Sequence, residues 1–351
     1  MIKTYMRKDL QNYSPYHAPE KPYEVKLDAN ENPYTHDPEV IQAMKDWIED
    51  CEHMRRYPDT DCHRLKEAIA EFWKVGKDEV ICGVGSDQLI ESIAKVFIEP
   101  GDKVLMPAPS FSMYKLATTL NRGIAVEFSL DDDYQYPIDT IIQTYQEIQP
   151  KCVFLCTPNN PTGSSLAIKD IEKLLQVMTC PVVIDEAYGE FVDRTMIDQI
   201  DKYPNIIVLR TFSKAYGCAG LRVGYGIGSK EMIEALHLVL PPYHLNAFSQ
   251  YMAKTILEKY GHYKDNVKAI VKEREALITA LSTIDYVCKV YPSDANYILI
   301  SVSRDDIVKQ LEERKVLVRG YGATGALANC LRITVGTEKE NKKLIEVMKT
   351  I

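Results

Sequence analysis

The chain has 351 residues, with 42 Lys and Arg against 50 Asp and Glu, a formal net charge of −8 at pH 7. Apolar residues make up 46% and charged residues 26%, an ordinary globular balance, and the length suits a large domain beside a smaller one at roughly 100–200 residues each. An acidic chain without a basic block is a poor non-specific nucleic-acid binder, because that binding needs clustered Lys and Arg. No run approaches the ~18 uninterrupted apolar residues of a membrane helix, and the Met1–Leu10 segment has no apolar stretch of the secretory kind. The nine cysteines are an odd number without a CxxC pair, which points to free thiols in a reducing cytoplasm rather than a disulfide framework. The histidines show no metal-ligand spacing, so no metal is expected.

Taken in chain order, residues 1–35 are rich in Pro, Tyr and Asn and read as an extended arm that joins a small domain. Leu65, Ala68, Ile69, Phe72 and Trp73 recur at helical spacing over 61–75. Short apolar runs then alternate with helical stretches: Val80–Cys82, Lys103–Met106, Ile124–Phe128, Cys152–Cys156, Val182–Ile184, Ile206–Leu209 and Val223–Ile227. This rhythm predicts an α/β fold with a mainly parallel sheet, a large domain over 36–245. After Pro241-Pro242 the pattern predicts a long helical stretch from about 245 to 281, broken near Gly261. Strands at 297–302, 316–319 and 331–335, and helices near 305–314 and from 339, complete a small α+β domain over 246–351. The run Lys272-Glu273-Arg274-Glu275 alternates in charge as an exposed helix does.

Four stretches carry chemistry. In Thr211-Phe212-Ser213-Lys214-Ala215-Tyr216-Gly217, a lysine leaves an apolar strand among small residues, with Arg222 eight positions on. Apolar surroundings disfavour its ammonium form, and a neutral amine can form a Schiff base with an aldehyde. Ser213 and Arg222 supply the hydroxyl and fixed cation that a phosphate requires. Asp185 ends the run Val182-Val183-Ile184, where a carboxylate can hold a protonated pyridine nitrogen or merely cap a helix, and Tyr188 follows it. The turn Thr157-Pro158-Asn159-Asn160-Pro161-Thr162-Gly163 is a plain polar connection or presents Asn160 as a donor at the same strand edge. In Gly83-Val84-Gly85-Ser86-Asp87, a strand runs through glycines into a helix that Ser86 or Asp87 can cap and whose first N–H groups can receive phosphate. The GxGxxG match at Gly320–Gly325 is followed by a strand-like run, not a helix, which excludes a dinucleotide site there.

Together these motifs resemble the fold-type I, class I/II aminotransferases that use pyridoxal 5′-phosphate. The resemblance is closer to the histidinol-phosphate aminotransferases, on Leu27-Asp28-Ala29-Asn30-Glu31-Asn32-Pro33-Tyr34, Arg56-Tyr57-Pro58-Asp59, Pro109-Ser110-Phe111, Ser213–Gly217 and Leu331-Arg332-Ile333-Thr334-Val335-Gly336-Thr337. It covers nearly the whole chain, with the motifs in the family's order. It implies the fold-type I architecture, with Lys214 as the Schiff-base lysine and proton shuttle, Asp185 on the pyridinium nitrogen, and Tyr188 and Asn160 on the ring oxygen. Phe111 would stack on the ring, where many relatives have Tyr. The cofactor phosphate would take Gly85, Ser86, Asp87, Ser213 and Arg222, with Tyr57 reaching it from the partner of a homodimer. Substrate would meet Asn30 and Arg332, with Arg319 and Tyr16 around a phosphorylated tail. The reaction implied is ping-pong transfer from histidinol phosphate to 2-oxoglutarate in histidine biosynthesis. Aromatic amino-acid aminotransfer and threonine-phosphate decarboxylation are alternatives on the same scaffold, and a non-catalytic cofactor-binding protein is a third of another class.

Overall fold

A computed structural model of the chain describes residues 2–11 and 21–351. In chain order its strands and helices are β1 (Val25–Leu27), α1 (Pro38–Glu49), α2 (His63–Trp73), β2 (Val80–Val84), α3 (Gly85–Phe97), β3 (Lys103–Ala108), α4 (Met113–Leu120) and β4 (Ile124–Ser129). Next come α5 (Ile138–Ile148), β5 (Cys152–Cys156), α6 (Ile168–Leu175), β6 (Val182–Asp185), β7 (Ile206–Thr211), β8 (Val223–Gly228) and α7 (Lys230–His237). The chain closes with α8 (Ala247–Glu258), α9 (Tyr260–Leu281), β9 (Val287–Val290), β10 (Tyr297–Val302), α10 (Ile307–Glu313), β11 (Val316–Gly320), β12 (Cys330–Thr334) and α11 (Glu338–Met348). Short 3-10 turns fill several connections.

Seven strands form one sheet in the order β2-β8-β7-β6-β5-β3-β4. Six of them run one way, and β8 alone runs antiparallel, against both β2 and β7. The central strands are buried along their whole length, as continuous apolar runs with helices on both faces should be. Val182, Ile184, Ile206 and Val208 face one core while Val183, Ile207, Leu209 and Phe154 face the other. Because β8 is reversed, its entry, and not its exit, lies at the edge where β2, β5, β6 and β7 end.

The second sheet has the order β1-β11-β12-β10-β9. Its first strand comes from the predicted arm: Val25–Leu27 pairs in parallel with Val316–Val318. Residues nearer the N-terminus turn elsewhere, for Arg7 donates to the carbonyl of Leu120 at 2.7 Å, on α4 beside the larger sheet. The predicted break in the long helix falls at Lys259, between α8 and α9. α8 rests on the larger unit, where Ser249 Oγ donates to the carbonyl of Leu221 at 2.7 Å. α9 crosses to the smaller one, where Arg274 corrects the exposed-helix reading of 272–275. Arg274 is buried and donates to the carbonyl of Ala295 at 3.1 Å, because its position points inward whatever its charge. The strand after the 320–325 loop is β12, as expected there.

Beneath the larger sheet lies a buried ion cluster. Arg210 on β7 binds Glu186 at 2.6 Å and Glu190 at 3.1 Å, all three side chains 4% exposed or less. Gly189 is part of the arrangement, since a Cβ there would stand 2.6 Å from the guanidinium. Arg210→Met would leave two carboxylates buried without their cation, and should lower stability by about 3–5 kcal/mol in urea unfolding. A loss below about 1 kcal/mol would show that the cluster is held by other contacts.

Candidate active site

The strand ends of the larger sheet and the face of the smaller sheet enclose a cavity of about 1180 Å³. β5, β6 and β7 end at Cys156, Asp185 and Thr211, so Asn160, Asp185 with Tyr188, and Ser213 with Lys214 emerge side by side along one edge. Phe111 follows β3 on the far side of β5, at the point where the strand order reverses, the usual place for a ligand in an open α/β sheet. The reversed β8 brings Arg222 to the same edge. Arg319 and Arg332 on the smaller sheet, and Asn30 just after its first strand, line the opposite wall.

Asp185 is buried, and its two oxygens accept from the Tyr114 hydroxyl at 2.6 Å and from the Ala187 N–H at 3.0 Å. Burial pushes its carboxyl up to about 6, against the pull of those two hydrogen bonds. A carboxylate so enclosed is stabilised by any cation that enters. The sequence reading missed Tyr114. Its only signal is its position three residues after Phe111, one helical turn on, stacked on Phe154 with ring centroids 4.8 Å apart.

Lys214 Nζ donates to the carbonyl of Ala29 at 3.0 Å and stands 5.8 Å from the centroid of the Tyr188 ring. Burial, and then the positive charge of Arg332, push its amine down to about 8. A sizeable fraction is therefore neutral and nucleophilic near neutral pH, where an ordinary lysine is almost wholly charged. The Tyr188 phenol is pushed up by burial and keeps its proton.

Arg332 Nη1 donates to Asn160 Oδ1 at 2.7 Å, and its Nη2 donates to the carbonyl of Asp28 at 2.7 Å. A guanidinium only donates, so the Asn160 carbonyl faces it and the Asn160 amide hydrogens face away. Arg319 on β11 lies directly opposite Arg332 on β12 in the antiparallel ladder. Both residues line the cavity, so this wall carries two guanidinium groups. Asn30, expected to touch substrate, has both ends of its amide engaged: Nδ2 donates to the Tyr188 hydroxyl at 2.9 Å, and Oδ1 accepts from Thr334 at 3.3 Å.

At the other end of the cavity, α3 starts at Gly85, not after a capping Ser86 or Asp87. Its N-cap residue is Val84 and no side chain caps it. That corrects the capping expectation and leaves the first-turn N–H groups of Ser86 and Asp87 available to an anion. The Asp87 carboxylate instead binds Arg222 Nη2 at 3.0 Å, while Arg222 Nη1 lies 3.3 Å from the Ser213 hydroxyl. The approach of β8 to this turn leaves no room for a side chain. A Cβ on Gly224 would stand 2.3 Å from the Ser86 nitrogen, and one on Gly85, whose φ is +69°, 2.5 Å from Arg222. An uncapped helix N-terminus, a hydroxyl and a guanidinium converge here, the donor set of a phosphate cradle.

Tyr57 is not part of this cavity. It is 81% exposed and stacks on Tyr243 with centroids 4.5 Å apart. Tyr16 lies outside the described residues. Among the described residues, no group of three or more His, Cys, Asp or Glu side chains is placed to hold a metal ion, and no helix is long and apolar enough to cross a membrane.

Residues 23–348 match the family described as aminotransferase class I and II. The chain belongs to this family. Among its curated relatives, the histidinol-phosphate aminotransferase of Ruminiclostridium cellulolyticum is 43% identical over 100% of this chain and 99% of the relative. That of Caldanaerobacter subterraneus is 38% identical over 100% and 99%. Among solved structures, the histidinol-phosphate aminotransferase of Sinorhizobium meliloti, in complex with pyridoxal-5′-phosphate, superposes with a TM-score of 0.89 at 23% identity, covering 98% of each chain. The fold is that of the fold-type I aminotransferases, and the protein is a pyridoxal-phosphate-dependent transaminase. The cavity of this aminotransferase suits that cofactor at both ends: a phosphate cradle at Gly85, Ser86, Ser213 and Arg222, and a buried, uncompensated Asp185 beyond Lys214.

Proposed function

We propose that the enzyme transfers the amino group of histidinol phosphate to 2-oxoglutarate, with its cofactor held along the strand edge from Arg222 to Asp185. The observation that carries the substrate reading is the register of Arg319 against Arg332, two guanidinium groups facing one wall of the cavity. Two guanidinium groups on one wall suit a phosphate tail or a second carboxylate, because guanidinium forks accept either anion. Histidinol phosphate and the two-carboxylate acceptor thus use the same pair. The names of the relatives agree with this donor.

Bound pyridoxal phosphate supplies a protonated ring that withdraws electrons from the carbon losing its proton. Asp185 keeps that ring nitrogen protonated, since its carboxylate is buried and otherwise uncompensated. Tyr188 and Asn160 would present hydrogens to the ring oxygen, the first from its hydroxyl and the second from the amide nitrogen opposite the oxygen that Arg332 binds. Phe111, which lines the same cavity, would flank the ring. Lys214 Nζ, about half neutral at pH 8, would take the proton from the amine-bearing carbon of the donor as a general base and deliver it to the former aldehyde carbon of the cofactor as a general acid.

Tyr57 faces outward on its own chain, stacked on the partly exposed Tyr243, and Ile48 and Met54 a few residues before it are exposed too. A second copy of the chain covering that face would receive Tyr57 at its phosphate cradle, so the reading includes a homodimer. The eight described cysteines are free and six are buried, the state a reducing cytoplasm maintains.

Steady-state kinetics with 2-oxoglutarate as acceptor test the proposal. Histidinol phosphate should be preferred over phenylalanine by at least ~100-fold in kcat/KM, about 3 kcal/mol of transition-state binding. Arg319→Met should raise the KM for histidinol phosphate about tenfold or more and leave phenylalanine within about twofold. Faster turnover of phenylalanine, or release of CO2 from threonine phosphate, would overturn the donor assignment.

A further inference from the structure

Three consecutive residues of the segment after β1 each hold a different group of the site. The carbonyl of Asp28 accepts from Arg332, the carbonyl of Ala29 accepts from Lys214, and the Asn30 amide donates to Tyr188. The third contact differs from the others because it decides which way a hydrogen points.

Asn30 is 1% exposed and sits in the left-handed region at φ +55°. The smaller sheet fixes it there from three sides. Its N–H donates to Thr334 Oγ1 at 2.9 Å, the Thr334 hydroxyl donates back to Asn30 Oδ1 at 3.3 Å, and Asn296 Nδ2 donates to its carbonyl at 3.0 Å. With Oδ1 committed to Thr334, the amide nitrogen faces Tyr188, whose oxygen is its acceptor at 2.9 Å. A phenol carries one hydrogen, and a donor arriving at its oxygen turns that hydrogen away. The Tyr188 ring is held edge-on to Tyr297, centroids 5.0 Å apart, so the ring cannot swing to follow.

We infer that Asn30 is a positioning residue: its amide donates to the Tyr188 oxygen and thereby aims the Tyr188 hydrogen into the cavity, toward the ring oxygen of the cofactor. The inference rests on the cofactor placement proposed above. It gives the buried Asn30 a role distinct from substrate contact, and it makes the smaller sheet, through Thr334 and Asn296, a determinant of the hydrogen bonding at the larger one.

The test uses the loaded enzyme and the pH at which the absorbance of the bound cofactor changes. A hydrogen donated to the ring oxygen stabilises negative charge there and loosens the proton shared with it, so losing that donor raises the midpoint. Asn30→Gly removes the amide and tolerates the positive φ, so the backbone conformation is kept. It should raise the midpoint by about one pH unit, the size of one lost hydrogen bond to a charged group. Tyr188→Phe should raise it at least as far, and Asn30→Gly added to Tyr188→Phe should change nothing more. Asn30→Asp should also raise it, because a carboxylate accepts the Tyr188 hydrogen and draws it out of the cavity. Thermal unfolding of the cofactor-free variants checks that each is folded. Equal shifts from Asn30→Gly with and without the Tyr188 hydroxyl, or a wild-type midpoint in Asn30→Asp, would overturn the inference. If the wild type binds pyridoxal phosphate with no pH-dependent absorbance, or does not bind it, the cofactor placement itself fails and the inference falls with it.

Discussion

Replacing Lys214 with alanine should reduce amino transfer by ~10⁴-fold or more, because in the proposed mechanism one side chain provides both the covalent attachment and the proton transfer. The expectation has a physical basis in this chain. Lys214 is enclosed beside Arg332, and its amine is pushed down to about 8. The cradle at Gly85, Ser213 and Arg222 does not involve Lys214, so the variant should still bind the cofactor. Borohydride reduction followed by peptide mapping should then find the cofactor on Lys214 in the wild type and on no lysine in the variant. The lowered amine also sets a pH dependence. The neutral form grows as pH rises through about 8, so capture of the cofactor by the free enzyme should accelerate up to that point and level off above it. An ordinary lysine would keep accelerating to beyond pH 10.

The second large effect is expected at Asp185. Asp185→Asn keeps the shape and the hydrogen bond from Ala187 but removes the charge that a protonated ring nitrogen needs. It should lower kcat by about 10³-fold with a much smaller change in KM, as for an interaction that gains strength in the transition state. In the cofactor-free protein the Asp185 carboxyl is pushed up to about 6. The charged form is thus lost as pH falls through about 6, and cofactor affinity should fall with it. A cationic ring nitrogen reverses the shift, so the loaded enzyme should hold its activity to lower pH than the free enzyme holds its affinity. Wild-type kcat in Asp185→Asn would remove Asp185 from the chemistry.

Much of the larger sheet was legible in the sequence because its central strands are buried on both faces. Each of the seven predicted apolar runs forms a strand, and the observed ranges extend the predicted ones by no more than two residues at an end. The family was legible for the same reason that the site works. Parallel strands end together, so Asn160, Asp185 and Lys214 had to follow successive apolar runs. What the sequence concealed is set by distant contacts. β1 is three residues long with Lys26 at its centre, and exists as a strand through pairing with β11 almost the whole chain away. β9, at a sheet edge, has no buried residue, its two ends half-buried and its two middle positions exposed, and carries no apolar run. Arg274 reads as a surface charge until the fold surrounds it, and no local pattern marks Arg210 as the centre of a buried ion cluster. Tyr114 and Asn30 acquire their roles from hydrogen bonds to residues 71 and 158 positions away, which no local pattern encodes.

The cavity between the two sheets is the proposed place of amino exchange, and a single turnover tests this most directly. The loaded enzyme is mixed with histidinol phosphate in the absence of acceptor, and the cofactor absorbance is followed. The expected result is rapid and complete conversion to the amine form of the cofactor, one per chain, reversed on adding 2-oxoglutarate and absent in Lys214→Ala. No conversion by histidinol phosphate, with full conversion by phenylalanine under the same conditions, would contradict it.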